Sequence, residues 1–349
     1  MGVRVHAGRR GRAADMTVPP GGTMVCGSCD PAFARVQDAF EANFAEGFEI
    51  GAACTVYVEG RRVVDLWGGH TDETGAWAWQ RNTIVNLMSV AKGVAALCVH
   101  RLAGQGLIDL EAPLARYWPE FAQNGKSATL VRHALDHRAG IPVVDDPLWP
   151  GAVYNWAAMI SAIERQAPLF EPGTKPAYHT ITMSFLTGEL VRRVTGTTLG
   201  QYFHEQIATP LGVDYWLGLP AAQHTRCARF LKWDGYNANT GEADAPPDLL
   251  VKAWQQFDPA HDDGYNSARF RSAELPAVSG HGDARAIARL YAALAQGGTL
   301  DGADVIDPGA LQRAVSLQWF EVEPVLTHHY RMGIGFTLNS PDVSIGVES

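Results

Sequence analysis

Ser89, Val90, Ala91 and Lys92 form an S-x-x-K sequence inside NLMSVAKGVAALCVHRLAGQG, and a nucleophile could be made there. A serine hydroxyl attacks poorly until a neighbour takes its proton, and a lysine amine can take it where burial disfavours the ammonium. At i and i+3 on a helix the two side chains share a face within hydrogen-bonding reach. With Ser89 at the helix N-terminus, free backbone N–H groups and the helix dipole there favour the negative charge of a developing oxyanion. Lys92 sits among Val, Ala and Gly, and of the five lysines it alone has a serine three positions before it. So short a spacing also arises by chance, and the alternative is an N-cap serine followed by a lysine that snorkels to water.

Other residue sets offer less. No G-x-S-x-G is present, which disfavours a nucleophile elbow. His133 and His137 stand four apart and could ligate zinc; His328 and His329 have no ligand partners nearby in sequence; His281, in SGHGDAR, reads as a turn residue at the rim of a cleft. Cys26 and Cys29 form a lone C-x-x-C with no second pair or histidine at zinc spacing. With no phosphate-cradling glycine loop and no dinucleotide fingerprint, neither a metal nor a cofactor is expected.

The elements that must position Ser89 are partly readable. Phe33, Val36, Phe40 and Phe44 recur at helical spacing and predict an amphipathic helix ending near Gly47. Two apolar runs, 52–58 and 62–67, flank Glu59-Gly60 and predict a hairpin. From Ser89 to Leu102 the pattern is helical and apolar on most sides, as in a buried central helix, with Gly104 and Gly106 to stop it. Helical patterns broken by Pro-rich turns run from 107 to 225, residues 232–276 read as a long surface excursion, a last helix spans 283–296, and GIGFTL (333–338) looks like a strand.

The chain has 349 residues, 46% of them hydrophobic, ample for a substantial core. Its net charge of -9 argues against a nucleic-acid partner, which needs a basic stripe. The early arginines (Arg4, Arg9, Arg10, Arg12) are followed by no apolar run of secretory-signal length, and no stretch reaches the length of a membrane span. With five cysteines, an odd number, the reading is a cytoplasmic protein with reduced thiols.

The segments VNLMSVAKGVAAL, RLAGQGLIDLEAPLARYWPEF, VRHALDHRAGIP and EPGTKPAYHTITMSFLTGELVRRVTG, in that order, closely resemble the serine hydrolases that include class C β-lactamases and family VIII carboxylesterases. The resemblance covers residues 35–338. It implies an α+β fold of the β-lactamase/penicillin-binding-protein type, an antiparallel sheet flanked by helices plus an all-helical region, with the site in the cleft between. It also implies that Ser89 is the acylated nucleophile, Lys92 its partner, and Tyr178 the phenol that relays protons to and from Ser89. Thr180 departs from the Asn that β-lactamases usually carry there, Tyr178-His179 fits the esterase branch better, and in the family VRHALDHRAGIP is a structural segment, which disfavours zinc at His133 and His137. The expected organisation is a disordered extension over 1–30, a sheet region from 31–88 and 277–349, and a helical region over 89–276 with a loop at 232–276.

One family feature finds no match. The third motif, Lys-Thr-Gly in β-lactamases or a His/Trp-x-Gly variant in esterases, follows the strand matched by GIGFTL, and here the sequence finishes at PDVSIGVES. A C-terminally truncated product is therefore expected, short of one oxyanion donor whose loss costs about 10²–10³ in rate, and prone to self-association through an unpaired sheet edge. Three functions stay open: a cytosolic esterase acting on small acyl esters, a β-lactamase or penicillin-binding-type enzyme acting on lactams, and an inactive homologue serving as a binding module or without function.

Overall fold

The hairpin around Glu59-Gly60 builds the main sheet. Strands β2 (Gly51–Val58) and β3 (Arg61–Gly69) pair antiparallel. Glu59 and Gly60 both have positive φ, 50° and 75°, as a two-residue turn that follows the strand twist requires. The computed structural model that shows this describes residues 24–231, 248–254 and 264–339. Outside them fall residues 1–23 of the expected extension, most of the expected loop at 232–276, and the stretch after 339 on which the expectation of a missing third motif rests.

The extension expected over 1–30 needs correction at its end. Val25–Cys29 is strand β1, antiparallel to β3 with Val25 opposite Gly68 and Cys29 opposite Val64, so the sheet order is β1-β3-β2. Two polar or small residues in this five-residue strand (Gly27, Ser28) hid its pattern, and cross-strand pairing with β3 outweighed it. Cys26 and Cys29, three apart on an extended strand, point to opposite faces. Helix α1 (Ala34–Ala45) covers the sheet, with Phe40, Phe44, Val63, Val64 and Leu66 forming a small core between them.

A second antiparallel sheet lies nearer the chemistry. It joins strand β4 (Val85–Asn86), the strand Gly280–Gly282 and the strand Tyr215–Leu217 in that order. His281, expected as a turn residue at a rim, is the fully buried centre of the middle strand, with Nδ1 2.9 Å from the Ser279 carbonyl. Tyr215–Leu217 is likewise a strand inside the segment read as helical. Helix α2 (Val90–Gly104) starts just after β4 and runs through the large apolar core, burying ten of its residues against the helices Thr182–Thr195, Leu199–Phe203 and Pro308–Ala314.

The strand next to α2 approaches it closely. A Cβ added at Gly280 would lie 1.8 Å from the Tyr215 hydroxyl and 2.9 Å from the Ala91 methyl. Gly280→Ala is therefore expected to push Tyr215 and α2 apart and destabilise the protein by about 1–3 kcal/mol, read as a lowered melting temperature. An unchanged melt would contradict this packing.

Two further readings change. Within 232–276, residues Asp248–Trp254 and Ala268–Ser272 are helical, and Phe270 is fully buried, so that part belongs to the core. GIGFTL is no strand but a series of bends with one bridge, Met332 to Thr337. The neighbouring hairpin is made instead by Trp319–Val322 and His329–Met332. Gly333 and Gly335 bend 333–338 back on α2, where the Ile334 carbonyl bonds the buried His100 ring at 2.7 Å.

Candidate active site

Ser89 stands at the N-cap position, immediately before the first residue of α2, where strand β4 turns into the helix. Met88, just before it, is held at φ 46°, a conformation disfavoured for a residue with a Cβ. The Asn86 side chain stabilises that turn by accepting from the Met88 N–H at 3.0 Å. The turn leaves Ser89 exposed, and its hydroxyl makes no capping bond to the helix.

Lys92, by contrast, is 5% exposed. Its ammonium donates to the Thr180 carbonyl at 3.0 Å, the Ala277 carbonyl at 2.9 Å and Ser89 Oγ at 3.3 Å. A snorkelling lysine beside an N-cap serine is thereby excluded: the amine turns inward and the serine caps nothing. Burial among apolar groups pushes the Lys92 pKa down to about 7, so near neutrality a large share of it is a free amine.

Tyr178 closes the group from the other side. Its ring centroid lies 4.7 Å from Lys92 Nζ, and the Ser89 hydroxyl is close enough to its phenol to work against the rise in its pKa. Burial pushes its pKa up to about 12, which keeps the phenol protonated in the resting state. The chain thus brings together all three residues singled out by the sequence.

The two histidines considered for zinc play other parts. The helix Val131–Leu135 ends before His137, which sits at φ 66°, so the pair shares no helix face. His133 Nδ1 accepts from the Leu130 N–H at 3.2 Å. His137 Nδ1 accepts from the His179 N–H at 3.1 Å, leaving the proton on Nε2, and its ring lies 4.6 Å from that of Tyr178, tilted by 46°. Burial, with His179 and Lys92 close by, holds His137 well below its usual pKa, as a neutral ring. Among the described residues no group of three His, Cys, Asp or Glu could hold a metal ion, and no helix is long and apolar enough to cross a membrane.

Three residues around the site carry no local sequence signal. Ala277 offers its carbonyl to Lys92 while its N–H is held by the buried Ser184 hydroxyl at 2.9 Å. Glu323 accepts from the Tyr178 N–H at 2.8 Å. A cavity of about 340 Å³ lined by Trp156, Arg192, Leu199 and Glu274 lies apart, touching none of Ser89, Lys92 and Tyr178.

A buried lysine hydrogen-bonded to an exposed serine at a helix start, with a phenol ring beside the amine, makes up a candidate site of the serine-hydrolase kind. The Beta-lactamase family profile matches residues 36–344, and the chain belongs to that family. It is 35% identical over 302 residues to Esterase/beta-lactamase LipL of Mycobacterium tuberculosis, a match that spans 81% of this chain and 67% of that protein. It is 28% identical to Esterase EstB of Burkholderia gladioli, with 52% of this chain and 50% of EstB covered. Among solved structures, it superposes on a family VIII carboxylesterase with a TM-score of 0.82 and 37% identity, covering 91% of this chain and 84% of that one. A penicillin-binding-protein homologue from Caulobacter crescentus gives the same figures. These similarities set the chain among the esterase-type members, with the β-lactamase/penicillin-binding-protein fold expected from its motifs.

Proposed function

We propose that the chain is a serine hydrolase that cleaves small acyl esters through an acyl intermediate on Ser89. The observation that carries this reading is the buried Lys92 amine, 3.3 Å from the exposed Ser89 Oγ. Neutral Lys92 takes the Oγ proton as Oγ bonds to the ester carbonyl carbon. The tetrahedral oxyanion then collapses, the C–O bond to the alcohol breaks, and the alcohol leaves with a proton passed on through Tyr178. Water attacks the acyl-serine by the same route in reverse, releasing the acid and restoring Ser89. For the oxyanion, the first turn of α2 offers one amide: the N–H groups of Val90, Ala91 and Lys92 are spent on the Leu87, Met88 and Ser89 carbonyls, and none of these bonds takes the Ser89 N–H.

The pKa values divide the roles. Lys92, lowered to about 7, can be a base near neutrality, whereas Tyr178, raised to about 12, starts as a donor. Because only the neutral amine accepts a proton, the acylation rate is expected to rise as pH climbs through about 7 and then level off. Burst kinetics with a p-nitrophenyl ester between pH 5 and 9 checks this, and a flat profile would remove Lys92 as the base.

The family profile and the penicillin-binding-protein homologue favour a second reading, the same chemistry on a lactam. Turnover of p-nitrophenyl butyrate and of nitrocefin by the same preparation separates the two. Ester cleavage that outpaces nitrocefin supports the esterase, the opposite order supports the lactamase, and no turnover of either sinks both.

A further inference from the structure

Glu323 is 1% exposed, follows the strand Trp319–Val322, and is the buried carboxyl nearest the Tyr178 backbone on the hairpin that faces it. All of its polar groups are engaged. Its Oε2 accepts from the N–H of Tyr178 at 2.8 Å and of Val325 at 3.0 Å, and its Oε1 accepts from the Leu326 N–H. Its own N–H donates to the His328 carbonyl at 3.1 Å, and its carbonyl accepts from Thr327, which closes the turn between the two hairpin strands. The carboxyl thus ties a tight turn to the peptide that carries Tyr178, 145 positions away in sequence.

The same hairpin touches Tyr178 a second time. Tyr330, on the returning strand His329–Met332, stacks on the Tyr178 ring at 6.4 Å with the planes 23° apart. Trp319 anchors the first strand by donating from its indole to the Asp136 carbonyl at 2.7 Å, beside His137, whose ring lies 4.6 Å from that of Tyr178. Tyr178 is therefore gripped at its backbone by Glu323 and at its ring by Tyr330 and His137.

We propose that Glu323 is a positioning residue: by fixing the Tyr178 peptide to the Trp319–Met332 hairpin, it sets the phenol in line with Ser89 and Lys92. This rests on the reading of Tyr178 as the proton relay of an acyl-serine mechanism. If the carboxyl is lost, the Tyr178 N–H loses its partner and the hairpin its hold, so the phenol no longer keeps one orientation. A reacting group displaced by about 1 Å costs on the order of 10²-fold in rate without weakening substrate binding. A carboxyl that only caps its own turn at Val325 and Leu326 would leave the phenol where it is.

The test combines kinetics with ¹⁹F NMR on protein uniformly labelled with 3-fluorotyrosine, in which the Tyr178 resonance is assigned by its absence from Tyr178→Phe. Glu323→Ala is expected to lower kcat for a p-nitrophenyl ester by about 10- to 100-fold, with KM changed by less than about twofold. The Tyr178 resonance should shift or split, and Glu323→Asp should restore part of the rate. Glu323→Gln keeps an acceptor oxygen of the same shape and supplies the reading if the alanine variant does not fold. A Tyr178 resonance that stays in place in the folded variants overturns the proposal, whatever the rates do. A wild-type protein that cleaves no ester would instead remove the catalytic reading, and the resonance would still decide whether Glu323 holds Tyr178.

Discussion

Ser89→Ala is expected to abolish ester hydrolysis, lowering kcat by about 10⁴-fold or more, as loss of the nucleophile does in serine hydrolases. The substitution should leave the fold intact. Ser89 is exposed and makes no capping bond, and among the described residues its hydroxyl has Lys92 and Tyr178 as its polar neighbours. Intact-mass analysis after exposure to a serine-reactive fluorophosphonate gives the direct reading. The wild type should gain one adduct, and Ser89→Ala none, at an unchanged melting temperature. An adduct that persists in the variant would place the reactive serine elsewhere. A folded wild type that takes no adduct would mean that Ser89 is not activated, and would return the chain to the reading of an inactive family member.

The second large effect concerns Lys92, and two variants together identify its role. Lys92→Met keeps the length and apolar stem but removes the amine, and is expected to lower the acylation rate by about 10³-fold or more, within the range found when a positioned base and its partner act as a unit. Lys92→Arg keeps a cation that can donate to the Thr180 and Ala277 carbonyls but cannot give up its proton near neutrality. If Lys92 accepts the Ser89 proton, the arginine variant should be as inactive as the methionine variant, and neither should show the rise of rate with pH through about 7. If the cation only stabilises charge, the arginine variant should keep most of the rate. Because arginine is bulkier and Lys92 is only 5% exposed, a melting curve must accompany the comparison.

The pH profile links these variants to the structure. The Lys92 pKa is depressed because the amine is buried, so opening the pocket should move the rate profile toward higher pH rather than merely lower it. The segment to disturb is Ala277, whose carbonyl faces Lys92 and whose position is held by the buried Ser184 hydroxyl. That hydroxyl lies on the helix Thr182–Thr195, which also packs against α2. The tuning of the amine thus depends on three elements that meet only in the folded chain.

What the sequence by itself determined was local. The three-residue spacing of Ser89 and Lys92, the all-round apolar helix that carries them, and the Glu59-Gly60 turn are properties of neighbouring residues, and helical or two-residue periodicity makes them visible. Tyr178 was legible through its family motif, and family membership through several motifs in one order. Tertiary structure decided the rest. Whether Lys92 snorkels or turns inward depends on carbonyls 88 and 185 positions away. His281 is a buried strand residue because it lies between Val85–Asn86 and Tyr215–Leu217, which its own flanks cannot reveal. GIGFTL has the composition of a strand, yet no partner strand adjoins it among the described residues, and it bends back on α2 instead. Glu323 belongs to none of the motifs that the sequence displays. It became a buried anchor for Tyr178 because hydrogen bonds to the backbone follow from where chain segments meet, and residue spacing holds no record of that.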